Sequence, residues 1–156
     1  MDKDAFAGRV TAMQQSLYRV AAGYLHGEAD RLDAVCEAVA RAWEKRGTLR
    51  DERLFSTWLI RILIRECVNI QRRQSRAVPV ETLPEQAQED DDAVRSLRGA
   101  IEALPQRQRT MVVLHYMEGY DVREVARIMG TTRGAVCAGL SRARETLRRR
   151  IGEDIV

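Results

Sequence analysis

Patterned cysteine is missing from this chain. Its three cysteines, Cys36, Cys67 and Cys137, are odd in number and widely spaced, which argues against a disulfide framework or a zinc site. They read as buried or incidental thiols. The two histidines, His26 and His115, stand far apart, in no metal-ligand spacing and in no nucleophile constellation, so both read as surface or packing residues. No glycine-rich phosphate loop and no nucleophile elbow occurs. An enzyme is therefore not expected, and neither is a cofactor or a bound metal. No apolar run approaches the roughly 20 residues that a membrane span needs, and residues 1–9 hold no signal-peptide core. The chain is read as soluble and cytoplasmic. Lysine is scarce too: of 26 basic residues only Lys3 and Lys45 are lysines. The rigid donor fork of arginine suits phosphate or carboxylate, although GC-rich coding produces the same bias.

What is present fits within 156 residues, room for one ordinary domain or two small ones, which disfavours barrels and dinucleotide-binding folds. The net charge of +3 conceals a division: residues 1–76 carry 14 basic and 10 acidic groups, 77–94 carry none and 6, and 95–156 carry 12 and 7. Two basic segments flank a purely acidic one, a pattern of polyanion-binding modules on either side of a solvated spacer.

Phe6, Val10, Met13, Leu17, Val20 and Tyr24 recur at helical steps and predict a helix over roughly 5–25, ended by His26-Gly27. Asp30 and Asp33 open a second helix, where carboxylates favour the positive dipole end. Leu32, Val35, Val39, Ala42 and Trp43 are its expected apolar stripe, and Gly47 its stop. The β-branched residues of 55–64 suggest a strand, but the run continues to residue 76 without turn residues and is too long for one. On the resulting third helix, Arg61, Arg65, Asn69, Arg72 and Arg76 follow at steps of four, four, three and four, which places them on one face able to hydrogen-bond bases or phosphates. The plainer reading of that face is a solvated flank. Phe55 and Trp58 read as core residues or, beside arginines, as platforms for unpaired bases.

Residues 77–93 contain Pro79, Pro84 and a run of carboxylates to Asp92. They offer too little apolar surface to offset chain ordering and read as an extended linker. A second module starts with Val94, Leu97, Ile101 and Leu104, followed by Pro105 at a first helical position. The next helix is expected to turn Val112, Val113, Tyr116 and Met117 inward and to stop at Gly119. Asp121 and Glu124 then form a capping-box pattern before a short stripe of Val122, Val125, Ala126 and Met129, closed by Gly130. A last helix to about residue 151 follows from Val136, Leu140, Ala143, Leu147 and Ile151. Short helix, glycine turn and a longer helix bearing Arg133, Arg142, Arg144 and Arg148 read as a helix-turn-helix, against the plainer alternative of a helical hairpin.

Taken in order, these segments resemble the extracytoplasmic-function (ECF) group of bacterial RNA polymerase sigma factors, of the sigma-70 family. Residues 30–43 (DRLDAVCEAVARAW) are similar to the family's acidic-start helix ending in AW. Residues 55–62 (FSTWLIRI) match its FxxWLxxI segment, and residues 103–109 and 119–144 look like its LP opening and domain-four helix-turn-helix. The likeness covers roughly residues 5–75 and 94–151. It implies an all-α chain of two small helical domains: a three-helix domain two at 1–76, a flexible acidic linker at 77–93, and a four-helix domain four at 94–156. Asp30, Asp33, Glu37 and Arg41 would belong to the helix that docks on the polymerase β′ clamp helices, with Trp43 a packing residue. Arg61, Arg72 and Arg73 would face minus-ten DNA, joined as candidates by Phe55, Trp58, Arg65 and Asn69. Thr131, Thr132, Arg133, Arg142 and Arg144 would lie near the minus-thirty-five element. The implied partners are core RNA polymerase, through its β′ clamp helices and β flap, promoter DNA, and an anti-sigma factor that hides the basic faces. No catalysis and no membrane insertion are implied.

Two departures bear on that expectation. The third helix has Arg65 and Asn69 where the family usually has Asn and Asp, a more positive face. In the recognition helix a common TVKSRLxRAR becomes residues 135–144 (AVCAGLSRAR), so that Cys137 and Gly139 stand where a lysine and an arginine would approach DNA. The expectation is weak or altered minus-thirty-five reading with a flatter salt slope, and a gain in duplex binding from Gly139→Arg. The expected function is a sigma factor. The alternatives are a sigma-like decoy or adaptor that binds an anti-sigma factor without efficient promoter recognition, and an ordinary helix-turn-helix regulator.

Overall fold

Asp2 accepts a hydrogen bond from the Ala5 amide at 2.8 Å and so caps helix α1, Lys3–Ala12. The structure is a computed structural model that describes residues 1–76 and 92–155, and among these every regular element is helical. The chain divides into two compact units, Met1–Thr82 and Leu83–Val156.

In the first unit, the helix expected over 5–25 is broken at Met13 into α1 and α2, Gln14–Ala22. The Met13 amide bonds back three residues to the Val10 carbonyl at 3.0 Å, and the Thr11 hydroxyl donates to the Ala7 carbonyl at 2.8 Å. Such back-bonding from a threonine bends a helix, and periodicity alone does not register it. Helix α3, Glu28–Glu44, and helix α4, Phe55–Arg76, follow, linked by two short 3₁₀ turns at Arg46–Thr48 and Glu52–Leu54. Among its described residues the unit thus has four α-helices rather than three.

Helix α3 packs on α4 through Ala34, Ala38 and Ala42, all fully buried, while α4 buries Leu59, Ile60, Leu63, Cys67 and Ile70. Of the expected stripe only Ala42 is buried. Leu32 is 48% exposed, and Val35, Val39 and Trp43 are half-buried. Alanines at steps of four let two helix axes approach more closely than branched side chains allow, so the narrow side of α3 turns inward. Leu17, Val20 and Ala21 of α2, with Leu25 beyond it, complete this core.

The second unit is built around α8, Arg133–Ile155, which packs against α5, Asp92–Glu102, α6, Gln106–Val112, and α7, Val122–Met129. Of the linker expected at 77–93, only Asp92 and Ala93 are described, and they open α5; the rest lies outside the described residues. Helix α6 continues into a π-helical turn, Val113–Met117, in which the Glu118 amide reaches the Val113 carbonyl at 2.9 Å. The wider turn changes the helical phase. Val112 and Val113 are buried as expected, but Tyr116 and Met117 are each 52% exposed, a correction to the inward placement.

Gly139 also departs from expectation. It is buried on the inner side of α8, where an added Cβ would collide with Sδ of Met111 and lie 3.1 Å from its Cε. The residue provides room for a core methionine and does not face DNA. Gly139→Arg therefore overpacks the core instead of adding a DNA contact. A loss of about 1–3 kcal/mol is expected, read as a drop in melting temperature, with no gain in duplex binding. Unchanged stability together with tighter DNA binding would return Gly139 to the DNA face.

Candidate nucleic-acid interface

The arginines of α4 follow a helical period, and the fold turns that period outward. Arg61, Arg65, Arg72 and Arg76 are exposed and Asn69 is half-buried, whereas the buried residues of α4 lie on the other side. At 100° per residue, Arg61 through Asn69 occupy an arc of about 80°, and the arginines extend along about 22 Å of helix. Trp58 falls within the same arc and is half-buried. Arg73 is exposed at the flank of this face. Among the described residues, none of these five arginines is paired with a carboxylate. The structure thus brings together Trp58, Arg61, Arg65, Asn69, Arg72 and Arg76.

Phe55 does not join them. It is 3% exposed and packs edge-on against Phe6 at 5.8 Å between centroids, with Trp58 5.8 Å away and the Arg9 guanidinium 5.6 Å above its ring. Phe6 also meets Trp43 at 5.2 Å, and Arg46 stacks on Trp43 at 3.7 Å. Phe55 belongs to an aromatic cluster that anchors the start of α4, with no surface left for a base.

The acidic helix α3 divides in the same way. Asp33 and Glu37 are exposed. Asp30 accepts a hydrogen bond from Gln74 of α4 at 2.6 Å. Arg41 makes a 2.7 Å ion pair with Glu66 of α4, whose side chain is only 4% exposed, and lies 3.5 Å from Glu37. Two of the four residues expected at a docking surface therefore tie α3 to α4. Glu66 was not singled out by sequence reasoning, although Leu59, Leu63, Glu66 and Ile70 follow at steps of four, three and four, a buried stripe containing one carboxylate. Beside it, burial pushes the Cys67 thiol up to about 12, with the neighbouring Glu66 charge adding to the effect. Cys67 is thereby held as an unreactive core thiol.

In the second unit the capping box expected at α7 is present in both halves: Glu124 N–H donates to Asp121 at 2.8 Å and Asp121 N–H donates to Glu124 at 2.9 Å. Gly130, at φ 66°, ends the helix in the left-handed conformation. The turn engages both threonines as acceptors. Thr132 accepts from the Ala135 amide at 3.1 Å as a cap for α8, and Thr131 accepts from Arg107 at 2.9 Å. Arg133 and Arg142 are exposed on α8. Arg144 donates to the Tyr116 hydroxyl at 2.8 Å, so it braces the π-helical turn. His115 bonds to the Tyr120 carbonyl at 2.7 Å, in keeping with a packing role. An open hollow of about 670 Å³ lies where α7 and α8 begin, lined by Asp121, Val122, Arg123, Arg133, Gly134 and Cys137. Among the described residues no helix is long and apolar enough to cross a membrane.

Comparison with known proteins accounts for both units. Residues 9–77 match the family described as Sigma-70 region 2, and residues 95–147 match Sigma-70, region 4. The RNA polymerase sigma-E factor of Streptomyces coelicolor is 32% identical, over 92% of this chain and 84% of the relative. The ECF RNA polymerase sigma factor SigM of Mycobacterium tuberculosis is 30% identical, over 97% and 79%. The RNA polymerase sigma factor SigV of Bacillus subtilis is 29% identical, over 89% and 86%. Among solved structures, the fold is similar to the sigma factor RpoE in complex with the anti-sigma factor NepR from Bartonella quintana, with a TM-score of 0.82 at 22% identity over 95% of this chain and 97% of that one. It is also similar to CnrH in complex with the cytosolic domain of CnrY, at 0.76 and 22% over 98% and 91%.

Arg41→Ala would leave the Glu66 carboxylate buried without its cation. The expected loss in urea unfolding is on the order of 2–3 kcal/mol, less than for a fully buried pair because half of Arg41 is in solvent. Glu66→Leu in that background should recover most of the loss; a variant as stable as the parent would show that water already satisfies the carboxylate.

Proposed function

The chain belongs to the ECF group of sigma-70 factors, and from that premise we propose that it binds core RNA polymerase and directs promoter-specific initiation, with no catalysis of its own. One observation carries the reading: α4 presents a row of arginines with no carboxylate partner among the described residues, next to a half-buried tryptophan. In this reading residues 1–76 engage the polymerase and minus-ten DNA, and residues 94–156 engage the minus-thirty-five duplex. Guanidiniums on phosphates provide affinity that salt weakens, and Asn69 and Trp58 meet bases exposed by melting. Stacking on an aromatic, worth about 1–3 kcal/mol per base, offsets part of the cost of unpairing. The exposed face of α3, with Leu32, Asp33, Cys36 and Glu37, is the docking surface for the β′ clamp helices. The second unit engages the β flap.

The sigma factor RpoE, of this fold, was crystallised with the anti-sigma factor NepR, which supports a similar partner here; in this reading the partner covers the basic faces. Action on polymerase places the protein in the cytoplasm. The decoy reading draws on one observation, the uncharged stretch of the outward face of α8 between Arg133 and Arg142.

Run-off transcription with host core polymerase on genomic fragments tests the proposal. Defined transcripts that depend on the protein are expected; active core that yields none, while an anti-sigma candidate still binds, would establish the decoy. In the same holoenzyme, Arg61→Ala combined with Arg72→Ala should reduce the slope of log affinity against log salt by about 1.4–1.8, that is about 0.7–0.9 for each phosphate no longer neutralised, without weakening polymerase binding. An unchanged slope would make the row a solvated flank.

A further inference from the structure

We infer that the recognition helix of the second unit reads thymine methyl groups through Cys137 and Ala138, with Arg133 as its base-reading cation. The inference rests on the proposed binding of this unit to minus-thirty-five duplex.

The surface of α8 leads to this assignment. Its buried side is Val136, Gly139, Leu140 and Ala143. Opposite these, Gly134, Cys137, Ala138 and Ser141 are exposed over the first turns, the part of a recognition helix that meets base edges in the major groove. The arc is small, close to flat and almost without hydrogen-bonding groups. The Cys137 methylene and thiol and the Ala138 methyl can neither donate a fork to guanine nor pair with adenine. What they match among major-groove groups is the thymine C5-methyl, which is read by apolar contact.

The flanking charges keep this arc on bases. Arg133 opens the helix and lines the hollow with Val122, Arg123 and Cys137, so a guanine beside the thymine step would lie within its reach. Asp121, in the same hollow, is held by the Glu124 amide as the cap of α7. Arg142 stands at the edge of the outward arc, suited to a phosphate. Glu145, exposed one turn beyond Ser141, repels phosphate and limits the reading arc to the first turns of the helix. Small side chains also let the helix backbone sit deep in the groove, close enough for methyl contacts.

The experiment uses holoenzyme assembled from the full chain and host core polymerase, on a promoter recovered in the run-off screen. Each thymine upstream of the minus-ten region is replaced by uracil, which removes the C5-methyl alone, and binding is read by competition. Uracil at one or two positions should weaken binding about fourfold each, the equivalent of one buried methyl at about 0.8 kcal/mol. The double variant Cys137→Ser, Ala138→Ser, with melting temperature as a control on its fold, should bind thymine and uracil promoters equally. Arg133→Ala should weaken binding without altering the thymine-to-uracil ratio. Failure of the run-off screen would overturn the sigma reading and this inference together. A working promoter on which uracil has no effect, or has the same effect in the serine variant, would overturn this inference alone.

Discussion

The first unit depends on one buried carboxylate. Glu66 lies in the seam between α3 and α4 and is satisfied by Arg41 at 2.7 Å. An unpaired carboxylate at that depth costs several kcal/mol, so rotations of α4 that carry Glu66 away from Arg41 without exposing it are penalised. The alanine stripe of α3 supplies the complementary condition, because only that side lets the two helices approach closely. Gln74 to Asp30 at 2.6 Å, and Gln71 to the Tyr24 carbonyl at 2.8 Å, fix the far end of the same seam. With the phase of α4 set in this way, the arginine row must point outward. Orientation of the basic face is thus a consequence of the core, and its charges need no acidic neighbours to hold them in place.

Helix α4 and the second unit handle arginine differently. On α4 the guanidiniums are exposed and available to phosphates, as affinity requires. In the second unit several are engaged in holding the fold: Arg107 with Thr131, Arg109 with the Glu102 carbonyl, and Arg144 with Tyr116. What remains outward at the start of α8 is Arg133 beside small, neutral residues. Under the proposed function, the arginine row of α4 would supply affinity, and the small, neutral start of α8 would contribute choice of sequence.

Legibility in the sequence followed the kind of signal each feature carries. The α4 face was readable because its polar residues kept a helical period from Arg61 to Arg76 while the opposite side is apolar. The capping box at Asp121 and Glu124 was readable because its chemistry is local. The buried side of α3 was not, since size ranks Leu32 and Val35 above Ala34 and Ala38, while close helix approach selects the smallest side chain. Tyr116 and Met117 were misplaced because a π-helical turn breaks the period on which the inward placement relied. Of the two readings open for Phe55, core residue and base platform, the first holds, because Phe6, far upstream in the chain, packs against its ring and closes it off. Glu66 could have been found by asking which cation a carboxylate in an apolar stripe requires.

Gly139 changes the meaning of the departures in the recognition helix. On the family pattern, Cys137 and Gly139 look like two cations removed from the DNA face. Their positions on α8 differ by about 200°, so they cannot serve the same face. Cys137 is exposed, whereas Gly139 is enclosed against Met111, a side chain that fills the space a Cβ would need. The two residues are complementary: a long, adaptable thioether on α6 requires a bare backbone on α8. The departure at Gly139 is therefore an adjustment of packing, and only Cys137 alters the surface that, under the proposed function, would meet DNA. The deficit there is one cation, and the surface left in its place is apolar.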